Sequence, residues 1–191
     1  MLNKFNRLKL KFLTIAIVAI LFTSITQGSL AYFSTIGKAT NVITSGDIQM
    51  KIHEKTDQGT DFPVDGVYII PGDVVSKQVS VENICEQPFY LRVKIVYGID
   101  SQELPSKECF KLNINETDWQ LVDGWYYYKS VLEPGQTTPL VFSHVEIVGD
   151  SVDNAYIGKT LTLTVKAQAV QSKNNPIVGT DTYTASGWPE D

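Results

Sequence analysis

Residues 89–97 read FYLRVKIVY and residues 160–170 read TLTLTVKAQAV. Both alternate between two kinds of side chain over most of their length. In the first run Phe89, Leu91, Val93, Ile95 and Tyr97 share one face, and Tyr90, Arg92, Lys94 and Val96 share the other. In the second, Leu161, Leu163, Val165, Ala167 and Ala169 oppose Thr160, Thr162, Thr164, Lys166 and Gln168. A period of two belongs to a strand, because successive side chains of an extended backbone point to opposite sides; a helix would scatter the same residues around its circumference. Two long strands, each with one greasy face, need a second layer to cover them, which constrains the chain to a layered β architecture.

Shorter segments extend the pattern. Residues 46–54 alternate with Ile48, Met50 and Ile52 on one side. Residues 74–82 place Val75, Val79 and Val81 on a common face that Lys77 interrupts, which reads as an edge strand or a bulge. Residues 140–148 form another apolar run, and residues 119–122 and 125–129 flank Asp123-Gly124, a pair suited to a tight hairpin because both residues tolerate positive φ. PGD at 71–73 and EPGQTT at 133–138 mark turns, and the acidic stretch 55–66 reads as a loop. Residues 105–115 hold Phe110, Leu112 and Ile114 beside Cys109 and fit either a short helix or an irregular crossing. The expectation is an all-β, antiparallel, jelly-roll-like β-sandwich over residues 46–170, followed by a loosely attached polar tail at 171–191 that carries no sorting-type pentapeptide.

The first 31 residues stand apart. Lys4, Arg7, Lys9 and Lys11 precede an apolar run at 12–22, FLTIAIVAILF, which is shorter than the ~20 residues that span a bilayer core. Small side chains at Ser29 and Ala31 occupy the −3 and −1 positions of a cleavable secretory signal, so cleavage is expected between Ala31 and Tyr32. About 160 residues remain, enough for one domain with a core. The leader holds four of the 16 basic residues and none of the 21 acidic ones, which leaves 12 against 21 and a net charge of −9. Such a balance, without clustered Lys or Arg, speaks against nucleic acid as a partner. Cys85 and Cys109 are the two cysteines; export permits a disulfide, and the sequence leaves the pairing open.

Residues 32–45 lie between the expected cleavage site and the sandwich. Phe33 with Ile36, or Val42 with Ile43, would serve as apolar anchors of a strand starting at Tyr32, with threonines as β-formers between them. The residues alone leave two fates open: an ordinary first strand of the chain's own sheet, or a strand lent to a neighbour.

The segment AYFSTIGKATNVITSGDIQMKIHE at 31–54 resembles the signal-exit segment of the TasA/camelysin family of Gram-positive exported proteins, through Tyr32, Phe33, Thr40, Asn41, Thr44, Gly46 and Ile48. PGDVVSKQVSVEN, FYLRVKI, DGWYYYKSVLEPGQTTPLVF and LTLTVKAQAVQSKN are similar to later blocks of that family, closest to its clostridial-type biofilm-matrix branch. The resemblance implies a secreted subunit cut by a SipW-type signal peptidase, which polymerises with itself, and with minor fibre or matrix components, into extracellular fibres at the surface of a Gram-positive bacterium. It also implies donation of the N-terminal strand, with Tyr32, Phe33, Ile36, Val42 and Ile43 in the donor. No cofactor and no enzymatic activity are implied for this branch.

Two other function classes meet the residues less well. Some camelysin-like relatives are metallopeptidases, but His53-Glu54 begins an H-E-x-x-H motif that Asp57 breaks, and His144 is the only other histidine. GDSV at 149–152 has no histidine after it, so no serine–histidine pair follows in that order. Asp57, Asp61 and Asp65, or Asp150, Asp153 and Asn154, lack the Gly and distal Glu of an EF-hand loop and read as solvating acids. Trp125, Tyr126, Tyr127 and Tyr128 alternate across a strand, so two of them facing outward would suit a carbohydrate-binding module.

Overall fold

The structure is a computed structural model that describes residues 33–41, 48–99, 102–103, 109–148 and 160–189. The chain divides into two units, Met1–Ala31 and Tyr32–Asp191, and every described residue belongs to the second. The expected cleavage residues Ser29, Ala31 and Tyr32 and the donor anchors Val42 and Ile43 lie outside the described residues.

Among the described residues, eleven strands form two sheets. In chain order they are β1 (Phe33–Asn41), β2 (Met50–Lys55), β3 (Val67–Ile69), β4 (Val74–Asn83), β5 (Phe89–Ile99), β6 (Gln102–Glu103), β7 (Phe110–Leu112), β8 (Trp119–Val122), β9 (Trp125–Tyr128), β10 (Phe142–Ile147) and β11 (Thr160–Gln171). The larger sheet runs β3-β1-β11-β5-β9-β8, with β6 pairing on β5, and the smaller runs β2-β4-β10-β7. The result is an all-β sandwich. Its pairings are antiparallel except that of β1 with β11, which is parallel.

The two long alternating runs become neighbours at the middle of the larger sheet. Leu163 lies opposite Tyr97, Val165 opposite Ile95, Ala167 opposite Val93 and Ala169 opposite Leu91, so their apolar faces merge into one. All eight are buried. The smaller sheet contributes Met50, Ile52, Val79, Val81, Phe142, Val145 and Ile147 to the core. The sheets meet through pairs such as Tyr97 on β5 and Phe110 on β7, whose rings lie 5.2 Å apart. Both Pro-Gly dipeptides make type II turns: Asp73 N–H donates to Ile70 O, Gln136 N–H donates to Glu133 O, and Gly72 and Gly135 carry the positive φ at the third position.

Three expectations change. β4 is interior, between β2 and β10, so Lys77 does not mark an edge; the register against β10 slips between Phe142 and His144, the bulge alternative. Residues 110–112 are neither helix nor irregular crossing but strand β7, paired with β10. The tail is docked instead of loose. Tyr90, Val170 and Ala185 form a satellite cluster with Val131, Ile177 and Trp188, and a 3-10 turn at Thr182–Thr184 is fixed by Thr182 Oγ1 donating to Tyr128 O at 2.7 Å. Apolar residues spread among the polar ones of the tail do this without any strand or helix period for the sequence to reveal.

Candidate functional site

The first strand occupies a slot in the larger sheet. On one side β1 runs parallel to β11 from Ser34 opposite Thr160 to Asn41 opposite Ala167. On the other side it is antiparallel to β3, with Phe33, Ser34 and Thr35 opposite Ile69, Tyr68 and Val67. Strand β3 joins the larger sheet only through β1. Taking β1 away would therefore leave an eight-residue stretch of β11 as an open edge and uncouple β3 from the sheet. A strand edge exposes rows of N–H and C=O groups whose pairing is satisfied equally well by any strand of the right register. Of the donor residues named from sequence, Phe33 and Ile36 lie on β1, with Phe33 opposite Ile69 and Ile36 opposite Thr162.

The outer face of the larger sheet carries a side-chain constellation that alternation alone does not expose. Arg92 lies opposite Tyr127 and Gln168, on the face away from the core, which the alternation assigns to Tyr90, Arg92, Lys94 and Val96. It is only 7% exposed. Its Nε and Nη2 donate to Gln168 Oε1, Nη1 donates to Tyr127 Oη at 2.9 Å, and Nη2 donates to the Pro189 carbonyl at 2.6 Å. The guanidinium carbon sits 4.2 Å from the Trp125 ring centroid and 4.9 Å from that of Trp188, so the cation lies between a strand indole and a tail indole. Tyr127 packs edge-on against Trp188 at 5.3 Å and against Tyr183 at 6.1 Å. A guanidinium buried this way is stabilised by ring quadrupoles and neutral acceptors. The two outward aromatics, Trp125 and Tyr127, are thereby covered and form no exposed stacking platform. The late Trp188 is the sequence signal for this lid, but nothing in its spacing says which strand it reaches.

The histidines are not brought together. His53 on β2 lies opposite Ser80 of β4, and its Nε2 meets Glu82 Oε2 at 2.7 Å. His144 on β10 lies opposite Ser76, on the other flank of the same strand. Four positions along β4 separate the two, roughly 13 Å at about 3.3 Å per residue, before the spacing across two strand gaps is added. Among the described residues no group of three or more His, Cys, Asp or Glu is placed to hold a metal.

Cys85 and Cys109 are both free thiols. Cys109 O accepts from Val148 N–H beside the Asp73 end of β4, whereas Cys85 lies past Asn83 at the opposite end. A ten-residue strand runs about 33 Å, far beyond the ~4.4–6.8 Å Cα separation of a disulfide. The pairing that the sequence leaves open is thus not made within the chain. The Cys85 thiol instead donates to Asn83 Oδ1 at 3.0 Å and Gln87 O at 3.2 Å.

Among the described residues, one ion pair lies inside the sandwich. Lys77 is fully buried, and its Nζ is 3.0 Å from Glu54 Oε1 and 4.4 Å from the Phe62 ring centroid. The contact has ion-pair distance without hydrogen-bond angles, and neither atom has a hydrogen-bond partner among the described residues. Burial pulls the lysine below its usual 10.5, and the charge and closeness of Glu54 restore part of the loss.

No family model, curated protein or solved structure matches the chain.

Proposed function

We propose that this chain is a secreted structural subunit of extracellular biofilm-matrix fibres, similar to the TasA/camelysin family, and that it polymerises by lending β1 to a neighbouring copy. In this reading a SipW-type signal peptidase cuts after Ala31, the strand that starts beside the cut becomes free to leave its leader, and copies then join outside a Gram-positive cell. The role is structural, without cofactor or catalysis.

The observation that carries the reading is the seating of β1. It is the N-terminal described strand, it makes the one parallel pairing among the described strands, and β3 reaches the larger sheet only through it. A strand at a chain end can be exchanged between copies with every main-chain partner conserved, because the donated strand refills the slot that the native one vacates. Exchange then costs no net hydrogen bonds, and chain entropy with subunit concentration sets the balance between closed monomers and polymer. Each copy that receives a strand and gives its own away leaves another slot to fill, so the contact is heterologous and propagates. The leader would oppose this while attached, since the bond to be cut lies immediately before the strand.

The carbohydrate-binding alternative loses its main support, because Trp125 and Tyr127 lie under the tail. The test is electron microscopy of protein starting at Tyr32 beside protein starting at Thr44. The reading expects fibres from the first and none from the second; equal fibres from both would refute strand donation.

A further inference from the structure

The Lys77–Glu54 pair has no part in strand exchange, yet it is the most chemically unusual contact in the core. Glu54 lies on β2 opposite Val79 of β4, and Lys77 is two residues from Val79 on the same face, so the two side chains are diagonal neighbours on adjacent strands. The lysine is fully buried and the Glu54 side chain is 11% exposed. Phe62, itself buried, closes over the ammonium end, and its N–H donates to Glu54 O at 2.8 Å, which fixes the ring above the pair. A separated ammonium and carboxylate are expensive in such surroundings unless further hydrogen bonds support them. Among the described residues the buried pair atoms have none.

We propose that Lys77 and Glu54 are joined by a side-chain amide bond, an internal cross-link between β2 and β4. The step is a condensation. A proton first passes from the ammonium to the carboxylate, giving a neutral amine and a neutral carboxylic acid. The Nζ lone pair then attacks Cδ, the Cδ–O bond to the hydroxyl breaks, and the hydroxyl leaves with one Nζ proton as water. The product is a secondary amide that keeps one N–H, and no oxidant, reductant or other co-reactant is needed.

Three features favour the step. Nζ lies 3.0 Å from Glu54 Oε1, which holds the amine beside the carboxyl group whose Cδ it must reach, and fixed placement substitutes for a high concentration of reactants. Burial favours the neutral amine, which is the nucleophilic form. The enclosed site also disfavours return of the expelled water. No third acid contacts the pair among the described residues, so bond formation is slow and follows folding. Because β2 is the first strand after β1, the bond would tie the segment that carries a donated strand directly into the core.

The test is intact mass measurement on folded, full-length mature protein after overnight incubation, followed by tryptic mapping. The expected result is a mass lower by one water than the sequence requires, absence of cleavage at Lys77, and a branched peptide joining residues 52–55 to residues 56–92. K77R, which keeps the charge but lacks the primary amine, should show the full mass. If that variant does not fold, the wild-type peptide map decides alone. A wild-type chain of full mass that is cleaved at Lys77 would overturn the proposal, and it would do so whether or not the protein forms fibres.

Discussion

Asn83 has no exposure to solvent and spends both ends of its amide on the β4–β5 connection. Its Nδ2 donates to Gln87 O at 3.0 Å and Leu132 O at 2.9 Å, while Oδ1 accepts from Cys85 N–H at 2.9 Å. Asn83→Asp would turn a double donor toward two carbonyls into a carboxylate, and should cost roughly 2–4 kcal/mol in urea unfolding. Arg92 is the second such residue. Arg92→Leu leaves Gln168, Tyr127 and the Pro189 carbonyl without their donor, and should destabilise the fold by roughly 2–4 kcal/mol. Tail release should appear in the same variant as a red-shifted tryptophan emission and faster proteolysis beyond residue 171. Tyr97 contributes to alkaline sensitivity. Burial first, and Tyr126 next, hold its phenol well above the usual 10.0. The folded state therefore keeps a proton that the unfolded state releases, and stability falls as pH rises past about 10. Tyr97→Phe should flatten that part of the stability–pH profile, whereas an unchanged slope would assign the alkaline loss elsewhere. At this scale the sequence is least legible: it marks Lys77 and Arg92 as polar residues on strands but not their burial, because that depends on partners distant in the chain.

At the scale of elements, alternation and turn chemistry carry most of the information. β5 and β11 are readable because both are long and each has one wholly apolar face. The hairpin between β8 and β9 is readable from Asp123-Gly124, which adopt φ of 48° and 81°. Gly124→Val forces a branched side chain into the left-handed region and should cost about 1–2 kcal/mol, visible as a lower thermal midpoint with an unchanged fold. Strands β3, β6 and β7 escape a reading of the sequence, since two or three residues hold no measurable period and their pairing is imposed by neighbours. The docked tail escapes for a related reason: Ala185 and Trp188 act as isolated anchors, and isolated anchors leave no pattern.

For the whole molecule, the all-β sandwich is legible in the alternation itself, because several such strands with no helical segment leave few other layered solutions. The slot is only half legible. Residues 32–45 read as a strand adjoining a cleavage site, but neither the parallel pairing with β11 nor the dependence of β3 on β1 can be read locally, since both are long-range. The closed arrangement satisfies β1 within its own copy, and the proposed polymer uses the same partners between copies. These two states differ in which chain supplies the strand, so proximity between chains separates them where shape does not. The register places Ser34 opposite Tyr68. The most direct measurement mixes copies carrying Ser34→Cys with copies carrying Tyr68→Cys, both with Cys85 and Cys109 replaced by serine, assembles them from the cleaved form and oxidises them. Strand donation predicts a disulfide-linked dimer of the two different chains. Its absence from assembled material, with linkage only when both cysteines sit in one chain, would contradict the account.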